Sequence, residues 1–262
     1  MKIAVCMSGQ LRQWEIAKEN QKWFWETSGV EIDYFIHTWD YSGDREGVSQ
    51  PYITRDVSRK EFDKLVDWYK PKGCMFDDRK QDFFYANDHW SSLFYSMAQS
   101  MMLKRQYEID NDFEYDLVVK TRPDVVFDPR YHFSWEPLED NILFATQGGL
   151  MESEFHMFNT NDMVFYGKSY TMDLVIPMYF YRQKMLDQRN LFKDKLFTGS
   201  MGPGVLMQEY FRDYGITTQS IQPNRSTFIE TLVKLGCPQD LNLMDHNEFH
   251  KMEKYFRDWY TK

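Results

Sequence analysis

Tyr115-Asp116-Leu117-Val118-Val119-Lys120-Thr121-Arg122-Pro123-Asp124-Val125-Val126-Phe127 reads as a strand buried on both faces that stops at a charged turn. Leu117 to Val119 form a continuous apolar run, as expected of a strand covered on both sides. Pro123 has no N–H, so ladder pairing must end near it and leave Thr121-Arg122-Pro123-Asp124 at the carboxyl end. Short runs of the same kind recur at residues 2–7, 33–36, 74–76, 142–145, 163–166 and 216–221. Between them lie stretches with helical spacing at 11–27, after Ser58, and at 90–110, 169–183, 203–214 and 247–260. Strands alternating with helices predict an α/β fold with a mostly parallel central sheet, here as one domain over 1–262.

Composition narrows the function classes. With 31 Lys and Arg against 40 Asp and Glu, the formal net charge of -9 argues against broad binding to nucleic acid or to an anionic membrane. An aromatic content of 18% excludes a disordered or collagen-like chain, and most of those rings are expected in the core. Cys6, Cys74 and Cys237 are odd in number and widely separated, which fits neither a disulfide framework nor a zinc cluster. No apolar run approaches the roughly 18 residues that span a bilayer, and the chain opens directly on a strand, so a cytoplasmic protein without a membrane span is expected.

In open α/β sheets ligands gather beyond the carboxyl ends of the strands, and the candidate residues are concentrated there. Asp124 is placed to hold a divalent cation bridging phosphate oxygens, and Arg122 to face the same phosphates as a bidentate partner. An Arg122–Asp124 ion pair bracing the turn is the equal alternative. Ser8, Gly9, Gln10 and Arg12 follow the first strand. A glycine there permits close backbone approach, and the N–H groups of a following helix start attract phosphate. His37 and Asp40, at the end of the second strand, share that edge and are candidates for the nucleotide base or ribose. A locally hydrogen-bonded His37 is the plainer reading. His246 and His250 share a helix face, lack the His-Glu-x-x-His pattern, and read as a surface pair.

Four segments in order carry a resemblance: Ser8-Gly9-Gln10-Leu11-Arg12, Phe35-Ile36-His37-Thr38-Trp39-Asp40, the Tyr115 to Asp124 segment, and Asn161-Asp162-Met163-Val164-Phe165-Tyr166-Gly167. Together they resemble a poorly characterised group of GT-A-type glycosyltransferases, found among capsule and surface-glycan genes and in viruses. The resemblance implies a GT-A-like, Rossmann-like α/β/α sandwich, with a nucleotide-binding half over 1–130 and an acceptor-side half over 131–262. It also implies a nucleoside-diphosphate sugar as donor, a glycan or small-molecule hydroxyl as acceptor, and Mn2+ or Mg2+ held at an Asp-x-Asp strand end. The sequence departs from that pattern, having Arg122-Pro123-Asp124 and the next acid at Asp128. Asp124 is therefore the expected metal residue.

Asp162 matches the acidic position near which such enzymes hold acceptor or base, and is the expected catalytic carboxylate; Glu152 and Glu154 compete for that role. Inverting and retaining transfer make different demands on such a carboxylate, and both remain open. The Gly199 to Gly204 segment is a candidate acceptor loop, with Glu209 on the helix after it. A same-fold nucleotidyltransferase and a catalytically silent nucleotide- or glycan-binding protein are the alternative readings, since one fold hosts several functions.

Overall fold

The structure, a computed structural model, describes residues 1–12, 14–26, 29–42, 55–78, 89–127, 139–147, 160–181, 203–220 and 229–231. The first half runs β1 (Lys2–Ser8), α1 (Trp14–Glu26), β2 (Glu31–Trp39), β3 (Tyr41–Ser42), β4 (Arg55–Asp56), α2 (Arg59–Tyr69), β5 (Gly73–Asp77) and α3 (His89–Asn111). There follow β6 (Leu117–Thr121), β7 (Val125–Phe127), β8 (Ile142–Gln147), β9 (Thr160–Gly167), α4 (Ser169–Asp173), α5 (Val175–Met178), α6 (Pro203–Asp213), β10 (Thr217–Ser220) and β11 (Ile229–Thr231).

Seven strands form one sheet in the order β5-β2-β1-β6-β9-β8-β10. Pairing is parallel except at β9, which runs antiparallel to both β6 and β8. The fold is thus α/β with a mostly parallel central sheet covered on both faces. Facing α3 to α6 are Ala4, Cys6, Phe35, Val118 and Phe165, packed on Phe94, Met97, Met101, Met172 and Phe211. The other face presents Ile3, Val5, Ile36, Leu117 and Val119 to Trp14, Trp25, Phe62 and Leu65 of α1 and α2. Period-two alternation along each strand produces these two cores.

Local chemistry fixes most helix ends. The Ser58 hydroxyl accepts from the Glu61 N–H at 3.2 Å and starts α2. Lys70, left-handed at φ 47°, ends it ahead of Pro71. The expected single helix at 169–183 is instead α4 followed by α5. Pro177 cannot donate to the carbonyl of Asp173 and its ring crowds that carbonyl, so the helix breaks between them. Two small pairings were not anticipated: β7 with β11 and β3 with β4, both antiparallel. The expected helix at 247–260 lies outside the described residues.

Candidate functional site

Because β1, β2, β5 and β6 are parallel and β9 is reversed, the carboxyl ends of the first four meet the beginning of β9 at one edge. That edge collects Ser8 at the end of β1 and Gly9 after it, His37 in β2, Asp77 in β5, Lys120 in β6, Arg122 and Asp124 just beyond it, and Asp162 in β9. The chain turns at Pro123-Asp124, where pairing was expected to stop.

Arg122 and Asp124 form a two-pronged ion pair, with Nε donating to Oδ1 at 2.9 Å and an Nη2 hydrogen to Oδ2 at 2.6 Å. Asp124 is 1% exposed. Burial alone would raise its pKa, but the Arg122 guanidinium, with Arg12 adding to the field, holds it below the ordinary aspartate range. The Arg122 Nη1 also stands 3.9 Å from Oδ2 of Asp162. One guanidinium therefore contacts two carboxylates, one on the turn after β6 and one on β9.

The turn carrying this pair is held from beneath by α1. Gln21 donates from Nε2 towards the carbonyls of Arg122, Pro123 and Val125 at 2.8, 3.2 and 2.6 Å. Asn20 donates to the Phe127 carbonyl at 2.9 Å and accepts from its N–H at 2.7 Å. Both amides are buried, which explains the imperfect apolar spacing of this helix. Their only sequence signal is the adjacent polar pair where the apolar stripe should continue.

Lys120, also unassigned from the sequence, is fully buried. It shares a face with Val118, its β-sheet neighbours are Cys6 and Phe165, and its ammonium donates to the Asp162 carbonyl. Burial lowers its pKa to about 7; the charges of Asp162 and Asp124 oppose that shift and Arg122 adds to it. The detectable signal was a lysine at an inward position of a strand that is apolar on both faces.

Ser8 and Thr121, both buried, have hydroxyl oxygens with no hydrogen-bond partner among the described residues. Gly9 adopts φ +127° and donates its N–H to the His37 carbonyl at 3.3 Å. A Cβ built there would meet only Arg122 Cγ, at 4.0 Å, so conformation rather than space requires glycine. Gly9→Ala is expected to cost about 1 to 3 kcal/mol of stability, read as a lower urea midpoint. Arg12 donates from Nε to Oε1 of Gln10 at 3.0 Å.

His37 is drawn inward. Nδ1 lies 2.8 Å from the Ser96 hydroxyl and Nε2 lies 3.2 Å from Oδ2 of Asp77, which also accepts from Tyr95 at 2.8 Å. Burial lowers the His37 pKa despite Asp77, so the neutral ring donates from Nε2–H and accepts at Nδ1. Both ring nitrogens are engaged within the protein, the locally bonded alternative to a nucleotide contact. Asp40 donates its N–H to the Asp77 carbonyl at 2.9 Å, and its carbonyl accepts from Val57 at 2.7 Å.

The metal expected at Asp124 does not fit the residues as placed. Both carboxylate oxygens accept from a guanidinium, and among the described residues no three His, Cys, Asp or Glu side chains gather as ligands. Asp128, Glu152, Glu154, the 148–149 glycines, the 199–202 part of the candidate loop, Cys237, His246 and His250 lie outside the described residues. Glu209, on α6, pairs with Arg212. Cys6 is a buried free thiol and Cys74 an exposed one. No described helix is long and apolar enough to cross a membrane.

No family model and no curated protein sequence matches the chain. Among solved structures it is similar to the apo form of the glycosyltransferase GlyE of Streptococcus pneumoniae TIGR4, at 14% identity and a TM-score of 0.40. That alignment covers 84% of this chain and 45% of GlyE, so the chain spans less than half of that protein. It is also similar to a glycosyltransferase involved in the glycosylation of the major capsid of PBCV-1, at 9% identity, a TM-score of 0.41, and coverage of 84% of this chain and 83% of that one.

Proposed function

We propose that the chain is a glycosyltransferase that moves a sugar from a nucleoside diphosphate to a hydroxyl acceptor. The observation that carries this reading is the convergence of Ser8, Lys120, Arg122, Asp124 and Asp162 at the carboxyl edge, in the motif order that resembles GT-A-type enzymes. Lys120, Arg122 and Arg12 supply positive charge where a diphosphate leaving group develops negative charge, and orientation plus electrostatic stabilisation supply the rate.

In the transfer, the acceptor oxygen forms a bond to the anomeric carbon. The bond from that carbon to the distal phosphate oxygen breaks, and its electron pair leaves on the diphosphate. The acceptor proton passes to the Asp162 carboxylate, which is partly exposed at the start of β9. Asp124 fixes Arg122, and the turn beneath fixes Asp124. The Ser8-Gly9 turn and Gln10 face the donor phosphates, while Asp40 is the remaining candidate for its ribose.

The test is a thermal-shift screen against UDP, GDP, CDP, ADP and their sugars, each with Mn2+, with Mg2+ and with EDTA. One nucleoside diphosphate at about 100 times its Kd is expected to stabilise by about 2.7 kcal/mol. Asp162→Asn is expected to retain that shift and to lose about 10²-fold or more in transfer, or in slow donor hydrolysis where no acceptor is supplied. No shift with any nucleotide would overturn the proposal. Release of pyrophosphate from a nucleoside triphosphate would replace it with nucleotidyl transfer.

A further inference from the structure

We infer that the Arg122 guanidinium is the resident cation of this site, so that a nucleoside diphosphate binds to it without a divalent metal ion. This rests on the proposed donor class and goes beyond it by assigning how the diphosphate charge is met. Arg122 contacts Asp124, at 2.6 and 2.9 Å, and Asp162, at 3.9 Å. Carboxylates gathered at a strand end make a divalent-cation site when no side-chain cation is paired with them. Here they are paired with a planar cation that cannot lose its proton at accessible pH.

Displacing it is unfavourable for two reasons. Asp124 is 1% exposed and cannot turn to water. An incoming divalent ion would also leave the guanidinium beside a second positive charge in a poorly solvated place. Guanidinium geometry matches phosphate oxygens as well as carboxylate oxygens, so a cation fixed through Asp124 exchanges its looser 3.9 Å pairing with Asp162 for a diphosphate oxygen. Lys120 adds an ammonium on the same edge, buried and joined to the Asp162 carbonyl. The Ser8 hydroxyl is buried there with no partner among the described residues. The fixed guanidinium, the adjacent Lys120 and the unpartnered Ser8 hydroxyl offer an anion hydrogen-bond donors at one strand end.

Three measurements on the intact chain test this. First, the best nucleoside diphosphate from the screen is titrated in EDTA and in Mn2+; Kd values within about threefold are expected. Second, Mn2+ alone is titrated and followed by the paramagnetic resonance of the free ion; the wild type is expected to take up none at sub-millimolar concentration. Third, Arg122→Lys and Arg122→Gln are compared by circular dichroism and by both titrations. Each is expected to weaken nucleotide binding by about tenfold or more, and Arg122→Gln to acquire Mn2+ uptake. A nucleotide shift that appears only with Mn2+ overturns the inference and leaves the proposed function standing. Loss of binding under every condition overturns the proposed function as well.

Discussion

Lys104→Ala is expected to lower the free energy of unfolding by about 3 to 5 kcal/mol, a loss that would leave many domains of this size marginal. Lys104 is completely buried in α3. Its ammonium donates to Glu108 Oε2 at 2.9 Å, to the Ser169 hydroxyl at 2.6 Å and to Asp173 Oδ1 at 2.6 Å, which uses all three N–H groups. The other Glu108 oxygen accepts from Ser169 at 2.6 Å and from the Tyr115 N–H at 2.9 Å. One cluster therefore ties α3 to α4 and to the approach to β6. Removing the ammonium leaves the buried Glu108 carboxylate beside Asp173 with only the exposed Arg105 guanidinium, 3.4 and 3.5 Å from them, to offset their charge, and that lost compensation is the source of the loss. Lys104→Met combined with Glu108→Gln keeps an acceptor for Ser169 and Tyr115 while deleting both charges, so the double variant is expected to recover most of the stability. Urea midpoints read both. A loss below about 1 kcal/mol for Lys104→Ala would show that solvent reaches the cluster.

That cluster also shows where sequence pattern stops informing. The helical spacing of Phe94, Met97 and Met101 marked the buried face of α3, and those residues are buried. Lys104 and Glu108 continue the same face, yet their charge alone would place them outside. Only the partners brought in by α4, from 65 or more residues away, make their burial tolerable. The parallel strands were legible because apolar runs bounded by turn residues and separated by helices specify a covered sheet. The reversal of β9 was not, because a buried run reads the same in either direction and its pairing is set by the neighbours it meets. The break at Pro177 lay in plain view as a proline inside an expected helix.

Strand-end placement was enough to put Arg122, Asp124, Ser8 and Gly9 at one edge of the sheet, since a buried strand ending in a charged turn is visible in the residues themselves. The direction in which each side chain points was not. His37 turns to Ser96 and Asp77, residues on α3 and β5 that no local spacing connects to it. Asn20 and Gln21 hold the Arg122 turn from a helix about 100 residues earlier in the chain. Asp124, expected to hold a divalent ion, is bonded to Arg122 through both its oxygens, the ion pair that was the equal alternative reading.

Lys120→Met is expected to make the protein more stable at pH 7 and, at the same time, to weaken nucleotide binding and donor turnover by about 10²-fold or more. Methionine fills nearly the same volume between Cys6 and Phe165 without a charge. The wild-type ammonium is buried, and among the described residues it has one hydrogen bond, to the Asp162 carbonyl. Burial is the main cause of its depressed pKa of about 7, with Asp162 and Asp124 opposing and Arg122 reinforcing. An unfolded lysine keeps its proton to about pH 10.4. Between those values the unfolded chain binds the extra proton, so stability contributed through Lys120 rises with pH from about 7 to about 10 and is lowest below 7. The slope in that window is at most about 1.4 kcal/mol per pH unit, and Lys120→Met is expected to remove it. Urea titrations at pH 6, 8 and 10, with nucleotide titrations on the same samples, read both effects. If the lysine served only to brace the fold, methionine would lower stability and leave nucleotide affinity unchanged. A more stable variant that no longer binds the diphosphate would mean that the sheet carries this buried charge for the ligand at its edge.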